Sequence, residues 1–233
     1  MRTLATDRQR LALAAMIALT FVTGVVDAVG YLGLDRVFTG NMTGNIVILG
    51  MGVAGSDELP VLGPSVALAA FTLAAFAAGL YLRRPPHGPQ GWHDRITALL
   101  SLGATVLVAL TVVAAVAGND DVAPVLGVVM AAATAAVMGQ QAVVARALAI
   151  PDMTTVVVTS TLTALAGETW VRGPSGSLAN RRAGAIVMIF LGAVTGALTL
   201  RIHMAVPYGV AAALTVSVIV VGHRHLHTDR LSG

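Results

Sequence analysis

The chain has 233 residues, of which 56% are hydrophobic and only 11% charged, with a mean hydropathy of +0.83. A soluble domain carries about 25% charged residues, so this composition excludes a water-covered globule and points to helices that cross a membrane. The net charge of +3 comes from 14 arginines, with no lysine, set against 11 acidic residues. The arginines flank apolar runs, where they act as topology signals, and with aromatics at 4% no nucleic-acid partner is expected. Cysteine is absent, which removes disulfides, thiolate chemistry and Cys-based zinc sites.

Eight apolar segments follow one another, at about residues 11–34, 37–54, 59–82, 96–117, 122–150, 153–169, 183–202 and 206–221. The first follows a basic start that resembles a signal peptide. It is longer than a signal h-region and many apolar segments come after it, so it is expected to be a membrane helix that is kept. The second carries Gly40, Asn41, Gly44, Asn45, Gly50 and Gly52, and the sixth is dense in threonine. Both are short for a span of ~20 residues and polar at their starts. Each is expected to be an extended stretch leading into a half-helix.

Charge decides between topologies, because cytoplasmic loops collect arginine. If all eight segments span, the loop with Arg83, Arg84 and Arg95 falls on the opposite side from Arg2, Arg8 and Arg10. If the second and sixth segments enter and leave on one side, those loops share a side with Arg172, Arg181, Arg182, Arg224 and Arg230. The acidic connections Asp57-Glu58 and Asp120-Asp121 fall on the other, with only Arg36 and Arg201 out of place. The expectation is an all-α integral membrane protein with six transmembrane helices and two short re-entrant segments. It forms a single transmembrane domain over residues 1–233 of a bacterial inner membrane, with both termini cytoplasmic and lipid around it; a homo-oligomer is compatible with this.

A weak internal repeat fits the same plan. Gly24-Val-Val-Asp27-Ala28 is similar to Gly139-Gln-Gln141-Ala142 to within one residue, and residues 43–49 to residues 159–165. The halves, about 11–117 and 122–221, read as helix, broken segment, helix, helix, twice. With three spans in each, the second is inverted, a 3+3 plan that recurs in transporters with the site where the irregular pieces meet.

The residues Thr23-Gly24-Val-Val-Asp27-Ala28 and then Val37-Phe38-Thr-Gly-Asn-Met42-Thr43-Gly44-Asn45 resemble the YoaK-like family of bacterial multi-span membrane proteins, a domain-of-unknown-function family. The resemblance covers nearly the whole chain, including Gly139-Gln140. Such proteins carry Gln-Asn-Ala in the second half, where this chain has Gln140-Gln141-Ala142, a departure that weakens any role for position 141. The resemblance implies a fold and leaves the biochemistry open.

Asp27 is the strongest candidate for chemistry, because an ionisable group inside a membrane helix is costly and faces a cavity or a partner. It could cap the irregular segment, bind substrate or a cation with Asn41, Thr43 and Asn45 as further oxygen ligands, or exchange protons. Gly40-x-x-x-Gly44 fits either irregular backbone at a site or a close helix-packing face. In the second half Gln140, Gln141, Thr159 and Thr161 are the matching positions, able to hold a polar solute or to bond neighbouring helices. Arg146 is expected to snorkel at a helix end, Gly192-x-x-x-Gly196 to pack helices, and His223-x-His225-x-His227 to lie in a flexible basic tail rather than on a metal. Nucleophile-elbow, zinc-protease and phosphate-loop motifs are missing. The function expected is a small-solute transporter or channel that is not an enzyme and has no cofactor or metal, with a substrate or ion of unknown identity. The alternative is a non-transporting scaffold or regulator with a protein partner.

Overall fold

The computed structural model describes residues 2–56, 59–83, 91–118, 123–148 and 176–227; the sixth apolar segment, with Thr159 and Thr161, lies outside them. The described residues form α1 (Arg2–Gly33), α2 (Met42–Val53), α3 (Leu62–Arg83), α4 (Asp94–Ala117), α5 (Pro124–Ala147), α6 (Gly176–Leu200) and α7 (Ala205–Val221). A π-helical turn, Gly222–Leu226, continues α7. All but α2 are long and apolar enough to cross a membrane. A helix is the natural state there because each backbone N–H finds its carbonyl within the segment. Threonines inside the spans follow the same rule. Thr20, Thr134 and Thr215 each donate to the carbonyl four residues back, at 2.8–2.9 Å, which satisfies the hydroxyl proton within its own helix.

The six spans alternate in direction. Ala15 and Leu19 near the start of α1 pack with Ala78 near the end of α3, Trp92 and Ile96 at the start of α4, Val144 near the end of α5 and Val218 near the end of α7. At the other end Leu34 and Val37 share a core with Ala114, Met130, Met204 and Tyr208. The first end carries Arg10, Arg83, Arg95, Arg146 and Arg224; the second carries Asp35, Arg36 and Arg201.

The packing falls into matched pairs. The most extensive contacts are α1 on α6 and α3 on α5, followed by α4 on α7, then α1 on α7 and α4 on α5. The buried share of the apolar stretch is 67% and 61% in α1 and α5, 33% and 39% in α4 and α7, and 11% and 17% in α3 and α6. Thus α1 and α5 are central and α3 and α6 face outward. Small residues permit the two tightest crossings. A Cβ on Gly24 would collide with the Ile189 carbonyl of α6, and one on Gly192 with the Phe21 carbonyl of α1. A Cβ on Gly139 would collide with the Phe71 carbonyl of α3. Lipid supplies no hydrophobic drive between helices, so such close backbone approach is a main source of their association. Gly192-x-x-x-Gly196 is therefore a packing face, as expected from its spacing.

Candidate functional site

The first broken segment begins at a sharp reversal. After α1, Asp35 and Arg36 both take left-handed backbone, at φ 58° and 57°. The Leu34 and Val37 N–H groups both donate to the Gly30 carbonyl, at 3.2 Å. The chain then runs back along α1 to the depth of Thr23 and Asp27. Gly40 sits there: a Cβ on it would lie 2.8 Å from Thr23 Cγ2 and 3.4 Å from Asp27 Oδ1. Asp27 is six residues, about 9 Å along the helix axis, before the end of α1. At that depth α2 begins, with Asn41 as N-cap accepting the Gly44 N–H on Oδ1 at 3.3 Å. Twelve residues of helix, about 18 Å, cannot cross a core of ~30 Å. They return the chain to the end it left, where a Cβ on Gly63 at the start of α3 would lie 2.6 Å from Val37.

Asp27 is the acceptor that makes this backbone tolerable. Its Oδ1 receives the N–H of Thr39 at 2.9 Å, of Gly40 at 2.6 Å and of Asn41 at 3.4 Å, and the Thr39 hydroxyl at 3.4 Å. Three consecutive amides outside any helix would otherwise lack partners at membrane depth, each costing about 1–3 kcal/mol. All four donors fall on one oxygen, and no donor among the described residues reaches Oδ2. Asn45, fully buried, holds the same stretch from the other side. Its Oδ1 accepts the Phe38 N–H at 2.9 Å, and its Nδ2 donates to the Phe38 carbonyl at 2.6 Å and toward Met42 Sδ at 3.7 Å. Gly44 lies against the Phe38 ring, so Gly40-x-x-x-Gly44 belongs to this irregular element rather than to a helix–helix face.

The residues expected to form a site therefore divide. Asp27, Asn41 and Asn45 gather around residues 38–41. Thr43 is exposed and takes part in none of these bonds. Gln141 comes close from the second half: its amide Nε2 donates to the Leu19 carbonyl at 3.2 Å and to Thr23 Oγ1 at 3.3 Å, and Thr23 touches Gly40. Gln140 points elsewhere, its Nε2 donating to the Leu99 carbonyl of α4 at 3.0 Å. It lines a largely apolar groove of about 430 Å³ between α3, α4 and α5, together with Tyr81. Thr159 and Thr161 are outside the described residues. Arg146 is exposed at the end of α5, where a snorkelling side chain belongs.

Two features escaped the sequence reading. Thr23 and Thr39, which carry the contacts between α1, α5 and the broken segment, read as ordinary small polar residues. The histidine tail is not a flexible appendage, because His227 is 7% exposed and pairs with Asp94 at 2.8 Å. The signal that could have found this was the four-residue spacing of His223 and His227, which puts two imidazoles near one another if the helix continues.

Six spans and a helical hairpin broken at an acid define a polytopic helical membrane protein. The chain belongs to the family described as protein of unknown function (DUF1275), whose model matches residues 15–221. It is 33% identical over 147 residues, 63% of its length, to the UPF0700 transmembrane protein YoaK of Bacillus subtilis (strain 168), and the match spans 62% of that relative. No solved structure matches the chain.

Proposed function

We propose that this is a small-solute transporter or channel of a bacterial inner membrane, built from two inverted halves with both termini cytoplasmic. The observation that carries the reading is the irregular backbone at residues 38–41, held at membrane depth by Asp27 between α1 and α2. Non-helical backbone at that depth belongs where protein or a cavity covers it, and in transporters such breaks form the substrate site. The inverted halves are supported by the pairing of the helices. Exchanging α1 with α5, α3 with α6 and α4 with α7 maps each packed pair of spans onto another packed pair or onto itself. The crowding of arginines at one end supports that end as cytoplasmic. The solute binds beside Asp27 Oδ2 and the Thr23–Gln141 contact, with no covalent chemistry.

One observation favours a second reading, a non-transporting scaffold or regulator. Asn45 has both amide atoms engaged with Phe38, and Asp27 Oδ1 is filled by backbone, so these side chains already serve the fold. Topology comes first in testing the two. Single cysteines at Ser56, Gln90, Asn119 and Ser175 are probed in whole cells with an impermeant reagent. Labelling of Ser56 and Asn119 alone is expected; labelling of Gln90 without Ser56 removes the inverted plan. Flux or a ligand-dependent thermal shift is then sought across small neutral and weakly charged solutes in liposomes. Loss of the signal in Asp27→Asn supports the transporter. A signal that survives Asp27→Asn and Asn45→Ala unchanged removes the site, and a stably co-purifying protein with no thermal shift supports the scaffold.

A further inference from the structure

We propose that Asp94, His223 and His227 form a binding site for a divalent metal ion of the zinc class, separate from the broken segment. One ligand atom from each lies within 4.8 Å of the others. His227 Nε2 is 2.8 Å from Asp94 Oδ1. The His223 and His227 rings meet edge to face, with centroids 5.2 Å apart, and among the described residues the buried His223 Nδ1 has no hydrogen-bond partner. A buried imidazole nitrogen without a partner is costly unless something else completes it. A cation ligated there would do so.

The backbone holds the three residues together. Asp94 opens α4, and the two histidines lie on the π-helical turn and its first following residue. Trp92 locks these segments to each other. It is 1% exposed, bridges to His227 through the backbone, and donates its Nε1–H to Thr97 Oγ1 at 2.8 Å. Gly222 lies so close on its ring that any side chain there would collide. The ligands thus come from the start of α4 and the end of α7, elements 133 residues apart at the bonded pair.

The donor set selects the ion. Two imidazoles and one carboxylate suit zinc, nickel, copper or cobalt, whereas magnesium and calcium require oxygen throughout. Metal–ligand bonds of about 2.0–2.2 Å place ligand atoms about 3–4 Å apart. The remaining adjustment falls on Asp94, whose side chain is 77% exposed and free to turn. The ion replaces the Asp94–His227 hydrogen bond with bonds to both groups, and three protein ligands leave coordination positions for water. Bound, it clasps α4 to α7 at the arginine-rich end of the bundle.

The test uses the full chain in detergent, purified without a histidine tag and titrated with Co²⁺ as a spectroscopic stand-in for Zn²⁺. The expected result is one Co²⁺ per chain with visible d–d absorption, and a thermal midpoint raised by Zn²⁺. Asp94→Asn is expected to weaken binding at least tenfold, and His223→Ala further. His225→Ala, a change at an exposed neighbour, leaves binding unaltered. His227 is buried and its replacement can disturb folding, so the decision rests on Asp94→Asn, which alters only an exposed side chain. Absence of d–d bands, or binding that Asp94→Asn and His223→Ala leave unchanged, overturns the site.

Discussion

Asp27 on α1 and Gln141 on α5 sit close to the two tightest helix crossings, yet each solves a different problem. Beside Asp27 the neighbouring chain is irregular and presents N–H groups, which only an acceptor can satisfy. A carboxylate, all acceptor and charged, is the strongest partner for several of them at once. Beside Gln141 the neighbouring chain is the intact helix α1, which presents a carbonyl and a hydroxyl. An amide that donates from Nε2 suits these without bringing a charge into the bundle. The difference teaches that the polar residue in each half is matched to the backbone opposite it. One half exposes donors because its helix is broken there; the other meets a helix that is whole.

The largest effect expected from breaking this comparison is at Asp27. Asp27→Ala strips the acceptor from three backbone amides and should cost about 3–9 kcal/mol at about 1–3 kcal/mol per orphaned group. Asp27→Asn keeps a carbonyl oxygen in place and should cost roughly 2 kcal/mol through loss of the charge-assisted share. Unfolding in mixed micelles measures both. If the two variants are equally mild, Asp27 does not hold the segment.

Next come the glycines. Gly24→Ala and Gly139→Ala each push a methyl into the carbonyl of a neighbouring helix, an overpacking worth about 1–3 kcal/mol. Equivalent crossings predict similar costs, and the double variant should add within about 0.5 kcal/mol because the sites are independent. A large inequality would show that the crossings of α1 on α6 and α3 on α5 are not counterparts. Gln141→Leu should cost less, about 0.6 kcal/mol, as is typical for hydrogen bonds between membrane helices. The Thr23 hydroxyl keeps its own bond to the Leu19 carbonyl at 3.1 Å, so little is left unsatisfied. A loss of several kcal/mol for Gln141→Leu would make it a partner of Asp27 in one network.

What could be read from the chain beforehand follows from the range of each interaction. The spans were legible because apolar length is a local property. The break at residues 38–41 was legible because Gly40, Asn41, Gly44 and Asn45 interrupt an apolar run, and its return to the same end followed from arginine placement. Asp27 was visible as a costly charge, but its choice between cap and ligand depended on which backbone came to face it, twelve to fourteen residues on. Gln141 and Thr23 find each other across 118 residues, and His227 finds Asp94 across 133. No local pattern carries such pairings. The tail read as flexible because basic residues at a chain end usually are; burial against Trp92 overrode that composition.

An effect of similar small size, and opposite in sign, concerns the reversal that sends the chain back beside Asp27. Asp35 and Arg36 are both exposed and both left-handed. That conformation costs an ordinary L-residue about 1–2 kcal/mol, while Asp tolerates it better than most. Glycine removes the penalty but adds about 0.5–1 kcal/mol of backbone entropy. Arg36→Gly should therefore stabilise the protein by about 0.5–1 kcal/mol, and Asp35→Gly by less. The same mixed-micelle unfolding decides it. If Arg36→Gly destabilises instead, the Arg36 side chain contributes more to the turn than its backbone angle costs, and the reversal is held by the side chain as well as by the Gly30 carbonyl. If it stabilises, the path into the membrane is imposed on the turn by the bonds at Asp27 and Asn45, which places the strain and the restraint on opposite sides of Val37.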